Sequence, residues 1–229
     1  NISVPTYYII PNGYNPETIK QVDDICPEKV VLRIAFAGSI YAWHPYKSVI
    51  STFAEFVKKS DCAPKFELNF FGINRHKEIE QFALENSIEN NVRVYPRMDN
   101  ASLLQYLSRH NVMLLFNDYS IMGTKIYDYP GLKRLILFCY SNDAEALALK
   151  DKYYPVGEVE GVSTHLQEDL INETHSGIVV KDKNHLSKVL SDLYSEFTQT
   201  GSIACHSINT SKYSRREGAH QLAEIIKTF

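Results

Sequence analysis

A glycine, a hydroxyl, a lysine and then an aspartate follow one another in Gly123-Thr124-Lys125-Ile126-Tyr127-Asp128-Tyr129. At a helix start such a group offers backbone N–H groups, an O–H and a point charge to a single phosphate. Asp128, about one turn further on, is spaced to reach a sugar hydroxyl beside that phosphate. The plainer alternative is an ordinary first helical turn, with Lys125 solvated and Asp128 paired to a neighbour. A second candidate is Phe36-Ala37-Gly38-Ser39, where glycine lets the backbone approach a ligand and the amides of a following helix favour an anion. As a motif it is equally compatible with a tight turn and nothing more. Pro11-Asn12-Gly13-Tyr14-Asn15 contains a common turn dipeptide and by itself marks a loop.

Short apolar runs bounded by turn residues must position these groups. They are Tyr7–Ile10, Val30–Ala37, Phe66–Phe71, Val92–Tyr95, Val112–Phe116, Leu135–Phe138 and Ile178–Val180, and they suit buried parallel strands. Helix-period segments lie between them. In Tyr46–Lys59, Val49, Ile50, Phe53 and Val57 share a face; Lys77–Asn86 and Ser102–Arg109 follow, the latter with Asp99 or Asn100 as N-cap. Strands alternating with helices imply right-handed βαβ crossovers and helices on both faces of a mostly parallel sheet. Ligands of such sheets bind beyond the carboxyl ends of the strands, where both glycine turns fall. Residues 150–176 break the pattern and are expected as an insertion over the sheet edge. Arg215–Phe229, with Ala219, Leu222, Ala223 and Ile226 at helical spacing, is expected to dock as a closing helix over 211–229.

The 229 residues carry 24 basic and 27 acidic side chains, a formal net charge of -3, so no electrostatic footprint for nucleic acid stands out. A phosphate ligand therefore needs a local site. Cys26, Cys62, Cys139 and Cys205 form no CxxC pair, which points to neither a zinc site nor a disulfide framework and suits reduced thiols in a cytoplasmic protein. The glycosylation-type triplets at Asn100, Asn172 and Asn209 are of a kind that arises by chance. No apolar run is long enough to cross a bilayer. The chain starts Asn1-Ile2-Ser3-Val4-Pro5 and reads like the middle of a longer protein, with residues 1–28 leading in from another domain.

Taken in order, these residues resemble the C-terminal, nucleotide-sugar-binding domain of GT-B glycosyltransferases, particularly the group-1-like transferases of bacterial polysaccharide synthesis. Ile10-Pro11-Asn12-Gly13-Tyr14-Asn15 matches the turn that enters that domain, Ala37-Gly38-Ser39 the turn after its first strand, and Gly123–Tyr129 the stretch that closes over the nucleotide. The resemblance covers essentially the whole chain. It implies an α/β Rossmann-like fold, one half of a GT-B enzyme, that binds a nucleoside diphosphate sugar, with UDP the commonest base in the group. Gly38, Ser39, Gly123, Thr124 and Lys125 would then meet the donor near its diphosphate, Asp128 the ribose, and Arg97 and Met98 the base. Gly72 matches the glycine that ends the second strand.

The same resemblance implies no metal and no cofactor beyond the donor. It implies a glycan or lipid-linked acceptor bound by an N-terminal domain, peripheral membrane association being open, and a catalytic residue that lies in that other domain. Ser120 stands where many retaining members carry the first of two glutamates, and Pro130 stands where the helix usually continues, so a kink or an early end is expected there. Lys47 is the nearest lysine to the first glycine turn and is expected to point elsewhere. His44, near that turn, is expected as a solvated loop imidazole. A GT-B-type nucleotide-sugar epimerase and a non-catalytic binding module remain the alternatives.

Overall fold

The computed structural model describes residues 8–60, 65–157, 160–161 and 163–228. Six parallel strands form one sheet: β1 (Leu32–Ala37), β2 (Phe66–Phe71), β3 (Val92–Tyr95), β4 (Val112–Phe116), β5 (Leu135–Cys139) and β6 (Gly177–Val180). Their spatial order is β3-β2-β1-β4-β5-β6. The chain thus runs outward from β1 to one edge, returns, and runs outward from β4 to the other. Between β1 and β4 the crossovers leave in opposite directions, and a crevice opens there at the carboxyl ends. Register is set by pairs such as Ala37↔Phe71, Phe71↔Tyr95, Ile34↔Val112 and Phe116↔Cys139.

Both faces of the sheet are covered because its strands are apolar on both. Leu32, Ile34 and Phe36 of β1 face one core, and Ala35 and Ala37 face the other. The first core is closed by α2 (Tyr46–Lys59), α3 (His76–Glu85), α6 (Ala144–Tyr153) and α8 (Lys183–Thr200). The second is closed by α1 (Pro16–Lys20), α4 (Asn100–Ser108), α5 (Lys125–Gly131) and α7 (Leu166–Thr174). α2 buries Val49, Ile50, Phe53 and Val57 as its period requires. α4 is capped by Asp99, whose carboxylate accepts from the Ser102 amide at 2.9 Å.

Three sequence expectations are corrected. The apolar run Tyr7–Ile10 is no strand over residues 8–10, and Tyr7 lies outside the described residues. Tyr8 and Ile9 stay exposed there, paired with neither edge strand of the open sheet. Residues 150–176 belong to the β5–β6 crossover rather than to an insertion, since α7 buries Leu170 and Ile171 in the second core. α9 (Arg215–Lys227) forms as expected, yet its apolar positions Leu222 and Ile226 are 49% and 63% exposed, so they do not dock. Its first turn is what fastens it: the Arg215 amide donates to the Tyr14 carbonyl at 2.9 Å, beside a bridge between Tyr14 and Ser214. Outside the segments read from the sequence, α8, capped by Asp182 and ended by Gly201, is a full crossover helix whose Leu186, Val189, Leu190, Leu193 and Phe197 bury one stripe.

Candidate functional site

Gly38 ends β1 with φ +126°, a backbone conformation that side chains other than hydrogen rarely adopt, and open space lies where its Cβ would stand. Its amide donates to the Phe71 carbonyl at 3.1 Å, which fixes the turn against β2. Gly72 ends β2 with φ +64°, and a Cβ there would stand 3.5 Å from the Arg97 Cα, so the loop after β3 lies directly against it. α5 is anchored by Tyr129, a fully buried residue whose hydroxyl accepts from the Ala37 amide at 3.3 Å. That bond ties α5, through its fifth residue, to the end of β1.

The three loops frame a cleft of about 620 Å³ lined by Gly38, Ser39, Gly72, Arg97, Met98 and Lys125, with Asp99 and Asn100 beyond. A smaller cavity of about 300 Å³ opens at the ends of β1 and β4. Gly38, Ser39 and Lys125 line it too, together with Gly123, Thr124, Tyr41, His44, Asp118 and Gln167. Seven of the eight residues expected in the site therefore line one or both cavities. Lys125 and the Gly38 turn stand at their junction.

Asp128 is the exception. It lines neither cavity, and its Oδ2 accepts from Lys125 Nζ at 2.8 Å. Thr124, the N-cap of α5, gives no side-chain bond to the first turn, which leaves those amides to other acceptors. α5 runs through Pro130 and closes at Gly131, so of a kink and an early end the early end is what is seen. Gly123 has open space at the Cβ position, so no packing demands a glycine there.

His44 is not solvated but buried, at 3% exposure. Its Nε2 lies 2.7 Å from Asp118 Oδ1, and its Nδ1 accepts from the Tyr41 amide at 3.2 Å. An Nδ1 that accepts carries no hydrogen, so the ring holds its hydrogen on Nε2 and donates it to Asp118. Trp43 Nε1 donates to the same Oδ1 at 3.1 Å. The backbone of this loop is pinned as well. The Asp118 amide donates to buried Gln167 at 2.6 Å, and the Asp118 carbonyl accepts from the Tyr154 hydroxyl at 2.9 Å. Tyr119 next to it holds φ at 55°, a strained value for an aromatic residue that the surrounding bonds maintain.

Asp118 had no motif to announce it, and the reading of His44 as a solvated imidazole hid its partner. Ser120 is engaged by Tyr154, whose hydroxyl accepts from the Ser120 amide at 3.1 Å and lies 2.9 Å from its Oγ. Lys47 points away from the glycine turn, with Nζ 3.7 Å from Glu78 Oε1. The Pro11–Asn15 turn also lies apart, fastening the two ends of the chain: Asn15 caps α1, and the Tyr14 amide donates to the Tyr213 carbonyl at 3.1 Å. Cys26, Cys139 and Cys205 are free thiols, and Cys62 lies outside the described residues. Among the described residues no group of acidic, histidine or cysteine side chains is arranged to hold a metal ion, and no helix is long and apolar enough to cross a membrane.

Comparison with protein-family models and with curated proteins gives no match. Solved structures do match. The pneumococcal O-GlcNAc transferase GtfA in complex with UDP and GlcNAc is 11% identical, with 98% of this chain and 40% of that one covered at a TM-score of 0.59. WaaG, a glycosyltransferase involved in lipopolysaccharide biosynthesis, is 14% identical, with 93% and 55% covered at 0.56. The UDP-GlcNAc 2-epimerase from Neisseria meningitidis bound to UDP-GlcNAc is 12% identical, with 92% and 49% covered at 0.54. This chain spans about half the length of these structures. At such identities the likeness establishes the fold: an α/β Rossmann-like sheet with helices on both faces, as in one half of a GT-B architecture.

Proposed function

We propose that this chain holds the nucleoside diphosphate sugar of a glycosyltransferase, as the donor side of a two-domain enzyme whose other domain presents an acceptor hydroxyl. The observation that carries this reading is the junction at Gly38, Ser39 and Lys125, where two cavities meet. A diphosphate at the junction would send its nucleoside toward Arg97 and Met98 and its sugar toward Asp118. The larger cavity, about 620 Å³, falls within the range of small-molecule sites. Because GtfA is bound to UDP and GlcNAc and the epimerase to UDP-GlcNAc, a UDP-sugar is the proposed donor here.

The chemistry asked of this half is electrostatic. As the glycosyl bond breaks, negative charge gathers on the departing diphosphate, and oriented amides with one ammonium stabilise it more in the transition state than before. Lys125 supplies the ammonium by turning from Asp128 to the phosphate. Asp128 is thereby freed to accept a ribose hydroxyl. No metal is needed for this binding, and the base that takes the acceptor proton lies in the other domain.

A second reading is a donor-binding module without transfer activity. Ser120 favours it, because its amide and hydroxyl are both taken up by Tyr154 where an acidic side chain would otherwise approach the sugar.

The test is a thermal-shift series with UDP, GDP, ADP and dTDP. A ligand that binds the native state alone raises the melting temperature progressively with concentration. UDP is expected to do so most strongly. A flat response to all four nucleotides removes the donor-site reading.

A further inference from the structure

Asp118 lines the smaller cavity with one carboxylate oxygen engaged and the other without a partner among the described residues. Oδ1 accepts from both Trp43 and His44, so the carboxylate cannot rotate without breaking two bonds. Its side chain is only 13% exposed, its backbone N–H donates to Gln167 and its carbonyl accepts from Tyr154. Such a group is a preorganised acceptor. What it accepts follows from its surroundings. A metal ion would want a third acidic, imidazole or thiolate ligand besides Asp118 and His44, and no such group of three is found among the described residues. Lys125 and the Gly38 turn, at the other end of the same cavity, suit an anion. Tyr41, 44% exposed and also lining the cavity, stacks on Trp43 at 4.5 Å with rings 9° from parallel. An apolar ring face beside a fixed carboxylate matches a sugar, which presents C–H faces and hydroxyl donors together.

Resting on the donor reading above, we propose that Asp118 determines which sugar this site accepts, its free Oδ2 taking hydrogen bonds from the hydroxyls of the hexose carried on the diphosphate. Trp43 and His44 are positioning residues. They hold the carboxylate and do not touch the sugar.

Asp118→Asn separates the two roles, since its amide oxygen still accepts from Trp43 and His44 while the atom facing the cavity becomes a donor. The 229-residue chain and this variant are titrated calorimetrically with UDP, UDP-glucose, UDP-galactose and UDP-GlcNAc. The native chain is expected to bind at least one UDP-sugar more tightly than UDP. In the variant that advantage shrinks about tenfold, with UDP affinity within about twofold of native. His44→Gln is expected to reduce the advantage by less and to leave UDP binding alike. Should Asp118→Asn fail to fold, Asp118→Glu replaces it and is expected to reorder the three sugars at constant UDP affinity. The proposal is overturned if the variant keeps the sugar advantage, if UDP and UDP-sugar weaken in equal proportion, or if the native chain prefers no UDP-sugar to UDP. Absence of UDP binding altogether instead overturns the donor reading on which it rests.

Discussion

Lys125 Nζ lies 2.8 Å from Asp128 Oδ2, three residues apart on a seven-residue helix that begins with that lysine. The side chains are 20% and 13% exposed, so the pair is more sheltered than a typical surface ion pair. A diphosphate carries more charge than one carboxylate and offers Lys125 a stronger partner. On the proposed donor reading, this pair separates when a nucleotide binds, Lys125 turning to the phosphate and Asp128 to the ribose.

Lys125→Ala should weaken UDP binding by about tenfold while leaving uridine binding nearly unchanged, because the lost contact is to phosphate. Asp128→Ala should weaken both UDP and uridine, the ribose being common to them. Calorimetric titration of the two variants with both ligands measures this. Native affinities in both variants would remove the pair from the site.

Nucleotide binding should be independent of divalent metal. UDP affinity measured with EDTA and again with millimolar Mg²⁺ or Mn²⁺ is expected to agree within about twofold, since amides and one ammonium carry the charge stabilisation. A strict metal requirement would overturn that assignment.

His110, under α4, is buried, with Nδ1 on the Tyr106 carbonyl at 2.8 Å and Nε2 2.9 Å from Asn69 Nδ2. Burial, aided by the charge of Arg33, pushes its pKa down to about 4 from an ordinary 6.5. The folded state thus favours the neutral ring, and the unfolded chain takes up the proton first as pH falls. The associated stability is intact above pH 6.5 and is lost toward pH 4, by about 3 kcal/mol. Urea unfolding at pH 7.5 and pH 4.5 should show a smaller difference for His110→Gln than for the native chain. Equal differences would count against a buried neutral ring.

Gly177 opens β6 against β5, and a Cβ there would stand 2.4 Å from the Ile136 carbonyl oxygen. Backbone at that distance has to shift, so Gly177→Ala should destabilise the chain by about 1–3 kcal/mol. The midpoint of urea unfolding reads the effect, and UDP affinity should stay native because β6 lies outside both cavities. An unchanged midpoint would mean the strand accommodates the methyl group.

Much of the fold was legible because its signals are local. Apolar runs too short for helices marked all six strands to within two residues, and the period of Val49, Ile50, Phe53 and Val57 marked α2. Where local signals misled, a tertiary reason can be named. Tyr8–Ile10 has the composition of a strand, but no edge of the sheet receives it. Leu222 and Ile226 have the spacing of a buried face, but among the described residues α9 is fastened through its first turn. His44 reads as a loop imidazole until its partner, 74 residues away, is seen beside it.

From the sequence alone came the alternation of strand and helix, the glycine turn after β1 and the lysine that opens α5, each a matter of neighbouring residues and backbone preference. Strand order was decided only in three dimensions. The period of a strand says that both its faces are buried, and nothing in that period says which strand lies next to it. The placement of β1 beside β4 joins the Gly38 turn to the Asp118 loop, aligns Lys125 between two cavities, and turns His44 and Trp43 onto one carboxylate oxygen. These contacts span long stretches of chain, and the packing of helices on both faces selects them together.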